Sequence, residues 1–178
     1  MIIKGSLVLV TGASSGMGAA IAKAMAKAGG HLVLLARRKD ALDRVAADIS
    51  SAGGEARTYP VDLADAGAVA AVTARVAQEL GTPDIIVNNA GAGRWLFVEE
   101  TSPAEAVEMM AVPYFAAFNV THAFLPAMLK RNSGHIVNIS SVGSRFVWPG
   151  ATAYLAARWA VRGFTEASVR IWMAQESA

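Results

Sequence analysis

Short apolar runs alternate with longer stretches of helical spacing along the whole chain. Leu7–Val10, Leu32–Leu35, Arg57–Val61, Asp84–Asn88 and His135–Ile139 read as strands, most of them continuously apolar. Continuous apolarity marks strands buried on both faces, which belong to parallel sheets covered by helices. Between and after them the spacing predicts helices over 15–28, 40–52, 65–80, 103–131 and 153–174. Gly29-Gly30 and Gly53-Gly54 stand where two of these helices stop. Asp62-Leu63-Ala64-Asp65 and Ser102-Pro103-Ala104-Glu105 carry the polar and proline signals of helix starts. Strict βαβα alternation with right-handed crossovers predicts an α/β fold: a doubly wound parallel sheet of about five strands in three α/β/α layers. No repeat, low-complexity tract or linker interrupts residues 1–178, so one domain is expected.

Composition narrows the function classes. Lys+Arg 16 against Asp+Glu 14 leaves +2, a thin surplus and not a basic stripe, so nucleic acid is not an expected partner. A 54% hydrophobic, 17% charged chain has ample core, which excludes wholesale disorder. The chain has no Cys, which excludes disulfides, thiol catalysis and Cys-ligated zinc. His31, His122 and His135 are scattered among apolar neighbours without ligand spacing, so no metal site is expected. Leu7–Val10 is too short for a signal peptide's apolar core. Met109–Leu129 is uncharged and long enough to cross a bilayer, but it carries Pro113, Asn119, Thr121, His122 and Pro126. A helix buried against a sheet accounts for it better; the expectation is a cytoplasmic protein without a membrane span.

The first candidate chemistry follows the first strand. Thr11-Gly12-Ala13-Ser14-Ser15-Gly16-Met17-Gly18 runs straight into a helix. A turn this tight uses glycine for positive φ and for close approach of the backbone to a ligand. The helix behind it offers free N–H groups and a positive dipole end, which suit a phosphate. The spacing is G-x-x-x-G-x-G, unlike the common G-x-G-x-x-G dinucleotide fingerprint.

Together with Asn88-Asn89-Ala90-Gly91, Asn138-Ile139-Ser140-Ser141, and Tyr154 with a basic residue four positions on, this turn makes the chain resemble the short-chain dehydrogenase/reductase family across nearly its whole length. The resemblance implies a Rossmann-like dinucleotide-binding domain and hydride transfer between a nicotinamide cofactor and a carbonyl or alcohol. It implies that Gly12, Ser14, Ser15, Gly16, Met17 and Gly18 hold the pyrophosphate, and that Asn89, Ala90 and Gly91 close the end of the fourth strand beside the adenosine ribose. Backbone hydrogen bonding at that strand end is the role it suggests for Asn88. Asp62, with Leu63 after it, matches the position that contacts the adenine amino group; capping of the next helix is the competing role. The second strand ends in Ala36-Arg37-Arg38-Lys39 with no acid before Asp40. An acid there would bond the ribose 2′-hydroxyl, whereas arginine accommodates a 2′-phosphate. Arg37, flanked by Arg38, therefore predicts NADP(H) in preference to NAD(H), against the plainer reading of a solvated basic loop.

Tyr154 and Arg158, four apart on a predicted helix, share one face, and Ser141 follows the fifth strand at the carboxyl edge of the sheet. By the resemblance Tyr154 protonates the carbonyl oxygen, Ser141 holds that oxygen, and the basic residue stabilises the phenolate and contacts the nicotinamide ribose. The family has lysine where Arg158 stands. A unit cation about 4.5 Å away at an effective dielectric of about 20 supplies about 3.7 kcal/mol, so arginine can provide the field. It cannot release a proton. Pro113 likewise stands where the family pattern has an asparagine at a helix kink that carries a water path. Proline can keep the bend by removing an N–H and clashing with the carbonyl of Met109, while the amide is lost.

Trp95, Phe97, Phe146 and Trp148 fall in the two loops expected at the mouth, where they suit an apolar substrate or pack among themselves or at a subunit contact. Trp159 and Trp172 on the last helix read as packing residues. The resemblance implies a homodimer or homotetramer joined through the two long helices. It also implies two further strand–helix segments, so the 178 residues are expected to leave Ile136, Val137 and Ile139 on an unpaired edge. Two functions stand: an NADP(H)-dependent oxidoreductase, and a nucleotide-binding protein with little turnover that acts as a regulatory or partner subunit.

Overall fold

The computed structural model describes the backbone of residues 2–175 and the side chains of residues 2–168. Five strands, β1 Leu7–Thr11, β2 His31–Ala36, β3 Glu55–Pro60, β4 Ile85–Asn88 and β5 His135–Asn138, alternate with six helices. The helices are α1 Gly16–Lys27, α2 Lys39–Ser51, α3 Ala66–Leu80, α4 Pro103–Met110, α5 Ala116–Lys130 and α6 Thr152–Gln175. All strand pairs are parallel, in the order β3-β2-β1-β4-β5, and the register sets Leu9 beside Val33 and Ile86. This is the doubly wound sheet that the apolar runs predict.

Alternation along the strands makes two cores. Leu9, Val33, Leu35 and Ile86 point to one face, where Val69 and Val76 of α3 and Val120, Phe124 and Met128 of α5 cover them. Val8, Val10, Leu32, Leu34, Ile85 and Val87 point to the other, against Ala22 of α1 and Leu42, Val45 and Ile49 of α2. Residues 103–130 are long and apolar enough to cross a membrane, yet Val120, Phe124 and Met128 lie in the first core. On the edge strand β5, Ile136 and Val137 are only partly buried, as is Ile139 just beyond it.

Three details depart from the sequence reading. The single helix expected over 103–131 is broken by a π-turn at Ala111–Phe115, closed by the Ala116 N–H donating to the Ala111 carbonyl five residues back. Pro113, buried inside that turn, has no N–H to give the α-helical ladder, so the chain accommodates it by widening. Second, Asp62 does not cap α3; Asp65 does, accepting the Ala68 N–H at 3.0 Å, while the Asp62 carboxylate accepts the Ala64 N–H. Third, Trp159 is not a core residue but stands 43% exposed on α6, with the Arg162 guanidinium carbon 5.3 Å from its ring. Trp172 lies outside the described residues.

Candidate active site

The chain builds the sheet outward from β1 to β3, then crosses back to β4 on the other side of β1. Beyond the carboxyl ends of β1 and β4 this reversal leaves a crevice, and open α/β folds place ligands there. A cavity of about 840 Å³ occupies it.

Its floor is the glycine turn. Gly12 has φ +67°, and a β-carbon on it would lie 2.8 Å from Cα of Ala90; one on Gly18 would lie 2.3 Å from the Gly12 carbonyl oxygen. The two strand ends and the first turn of α1 can close on one another only because both side chains are missing. Thr11 ties the closure, since its hydroxyl accepts the N–H groups of Asn89 and Ala90, each at 3.0 Å. The Asn89 amide adds a bond to the Thr11 carbonyl at 3.0 Å. Ser15 precedes α1 without a side-chain cap, so the first N–H groups of that helix remain available to a phosphate.

Gly12, Ser14, Ser15, Met17 and Gly18 line the cavity from the turn, Arg37 and Arg38 from the end of β2, Asp62 and Leu63 from the end of β3, and Asn89, Ala90 and Gly91 from the end of β4. Arg158 reaches it from α6. Gly16, Ser141 and Tyr154 are not among its walls. The sequence reading missed Ala36, Ala92, Val112, Ile139 and Ser140, which also line it. Val112 belongs to the π-turn, and only its place beside Pro113 could have pointed to it. Asn88 makes the expected backbone bond at the strand end, its carbonyl accepting the Ile139 N–H at 2.9 Å, and its buried amide adds bonds to the Thr121 hydroxyl at 3.1 Å and the Asn138 side chain at 2.8 Å, tying β4 to α5 and β5.

The electrostatics of this cavity are one-sided. Arg37 and Arg38 are exposed and form no ion pair among the described residues, whereas the neighbouring Asp40 and Arg44 pair at 3.0 Å. Arg158 is 9% exposed, with its Nη1 donating to the Ile139 carbonyl at a long 3.4 Å and its Nε without any partner. Among the described residues no carboxylate pairs with it. Asp62 is the only acid in the walls. Three cations facing one acid across a glycine-lined crevice suit a polyanion, and the orphaned Nε–H suits a ribose hydroxyl or phosphate oxygen. The residues present therefore fit a phosphorylated dinucleotide.

Beside the cavity, the Arg158 guanidinium carbon lies 5.1 Å from the Tyr154 ring centroid. The Ser141 hydroxyl accepts the Gly143 N–H at 3.1 Å and so caps the short turn Val142–Ser144. Tyr154 and Ser141 form no hydrogen bond with each other. Two loops frame the approach, joined by the Thr152 N–H donating to the Leu96 carbonyl at 3.2 Å and by the Trp95–Trp148 ring pair at 5.9 Å. Trp95, Phe97 and Phe146 are exposed on them.

Residues 6–175 match the family model for short chain dehydrogenase, and the chain belongs to that family. It is 41% identical over 170 residues to an uncharacterized oxidoreductase of Mycobacterium tuberculosis, covering 93% of this chain and 50% of the relative. It is 36% identical over 165 residues to a fatty acyl-CoA reductase of Acinetobacter baylyi, covering 92% of this chain and 56% of that one. The chain thus spans about half the length of these curated relatives. The crystal structure of a metagenomic short-chain oxidoreductase in complex with NADP superposes with a TM-score of 0.93 at 35% identity, covering 98% of this chain and 79% of that one.

Proposed function

We propose that this chain is an NADP(H)-dependent oxidoreductase acting at a carbonyl or alcohol carbon, its residues 1–178 working as one dinucleotide-binding domain. The observation that carries the reading is the crevice between β1 and β4, glycine-floored and faced by Arg37, Arg38 and Arg158 without ion-pair partners. The glycine turn and the start of α1 hold the pyrophosphate, and Arg37 with Arg38 takes the 2′-phosphate that distinguishes NADP from NAD. The NADP complex of a close structural relative supports the same choice. When bound, the nicotinamide supplies or accepts the hydride. Tyr154 gives its phenolic proton to the carbonyl oxygen as the carbon is reduced, and Ser141, whose hydroxyl accepts the Gly143 N–H and keeps its own proton free, orients that oxygen by donating to it. Arg158 stabilises the resulting phenolate as a fixed cation. Because arginine keeps its proton, Tyr154, which is partly exposed, is reprotonated from solvent.

The exposed rings of Trp95, Phe97 and Phe146 favour an apolar carbonyl substrate, and the similarity to a fatty acyl-CoA reductase points the same way. A second reading, dinucleotide binding with little turnover, is favoured by neither Ser141 nor Tyr154 lining the cavity. Direct NADPH binding, measured beside NADPH consumption with a panel of aliphatic and aromatic carbonyls, separates the two. Turnover abolished by Tyr154→Phe with binding intact supports the oxidoreductase; binding without consumption in the parent defeats it. Assembly into a homodimer through α5 and α6 belongs to the same proposal.

A further inference from the structure

We propose that Gly93 and Gly91 are positioning residues, whose bare backbone forms the seat that sets the Tyr154 ring and the Arg158 guanidinium in place. The inference rests on the reading of Tyr154 as the proton donor. Neither glycine has a positive φ, so the backbone at both positions suits any L-residue. What the site requires is the missing side chain. A β-carbon on Gly93 would stand 2.2 Å from Cδ2 and 2.8 Å from Cε2 of Tyr154. One on Gly91 would stand 2.7 Å from Nη2 and 3.3 Å from Nη1 of Arg158. Carbon atoms in ordinary contact lie about 3.5–4.0 Å apart, so either methyl group must push its neighbour away.

The match is one of spacing as well as contact. Two residues of chain reach at most about 7 Å, and four residues of α-helix rise about 6 Å. Gly-x-Gly after β4 can therefore face Tyr-x-x-x-Arg on α6 one for one. The loop is tethered on its far side against retreat from a methyl group. Directly after Gly93, Arg94 is clamped to α4 by Glu105 at 2.8 Å and Glu108 at 2.7 Å, and its N–H meets the Met109 sulfur at 3.4 Å. With the loop fixed, the ring and the guanidinium are what move.

Gly93 is not a wall of the cofactor cavity, so its substitution isolates the effect on Tyr154. Gly93→Ala is expected to lower kcat for NADPH-driven carbonyl reduction by about 100-fold, the scale of an ångström-sized misplacement, with KM for NADPH within about twofold. A merely structural glycine would not split kcat from KM in this way. The contact itself is tested without substrate. Gly93→Ala should lower Tm in the parent and leave it unchanged in a Tyr154→Ala background. Gly91→Ala should lose NADPH affinity, and Arg158→Lys, which has no forked head, should restore part of it. A kcat within twofold of the parent for Gly93→Ala overturns the proposal, as does an equal Tm loss with and without the Tyr154 ring. The two failures read differently, because a parent inactive on every carbonyl defeats the proton-donor reading while the Tm cycle still decides the seat.

Discussion

Arg158 concentrates the chemistry of this site because its charge has nowhere to go. A guanidinium largely taken out of water loses solvation that only partners can return, and the Ile139 carbonyl at 3.4 Å and the Tyr154 ring at 5.1 Å are weak ones. An expense of this kind, kept in the fold, is ordinarily offset by a ligand. Arg158→Met should therefore raise the stability of the ligand-free protein by about 1 kcal/mol or more. In a thermal melt that is about 2–4 °C for a chain of this size, and NADPH affinity should fall in the same variant. A lower Tm would mean that the cation is structural. Arg37 makes the complementary case: Arg37→Asp should weaken NADPH binding by about tenfold or more, or 1.4 kcal/mol, and leave NADH within about twofold. Calorimetric titration with both nucleotides checks it, and equal affinity of the parent for the two would remove Arg37 from the 2′-phosphate. Arg37, the glycines and Asn89 were legible in the sequence because each stands at a fixed offset from a strand end, and Arg158 because it follows Tyr154 by one helical turn. Ala36, Val112 and Gly93 were not, because they act through backbone position or an absent side chain, and residue type records neither.

At the scale of elements, the start of α4 matters more to the site than its distance suggests. Ser102 and Glu105 form a reciprocal cap, with the Ser102 hydroxyl accepting the Glu105 N–H and the Glu105 carboxylate accepting the Ser102 N–H at 3.0 Å. The same carboxylate holds Arg94 and, through it, the loop against which Tyr154 rests. The bonds from the Ser102 backbone and hydroxyl, with Arg94 beside them, hold the Glu105 carboxyl below its ordinary value of 4.5. A carboxyl depressed by folding contributes stability that is present above its unfolded value and lost as pH falls through the folded one. Acidification below about pH 4.5 should thus loosen the 92–101 loop before the sheet opens, visible as early loss of amide protection there by hydrogen exchange. Glu105→Gln should show the loosened loop already at neutral pH. Ser102→Ala should cost about 1 kcal/mol. The Ser-Pro-x-Glu pattern made this cap readable in advance. The π-turn was not, since apolar periodicity reports which face is buried and not whether one extra residue has been taken into a turn.

For the whole molecule, the sheet order fixes both where the ligand goes and what is left uncovered. The crevice between β1 and β4 suits the dinucleotide, and among the described residues the far side of α5 and α6 is left partly uncovered. There Tyr114 and Phe164 meet edge to face at 6.2 Å, Phe118 and Phe164 at 5.8 Å, and Phe118 stacks on His122 at 5.9 Å. Phe115 and Phe118 remain 46% and 41% exposed. Scattered exposed rings call for no explanation, but a contiguous aromatic patch on two neighbouring helices does. A two-fold contact would bury the same face of two copies, and about 800 Å² per copy suffices for a stable dimer. The parent should sediment as a dimer at micromolar concentration. Phe118→Glu, which sets a like charge against itself across the two-fold axis, should sediment as a monomer with NADPH binding within about twofold, because Phe118 is not a wall of the cavity. A monomeric parent refutes the assembly. A Phe118→Glu dimer of undiminished strength places the contact on some other face and leaves these rings to a different partner.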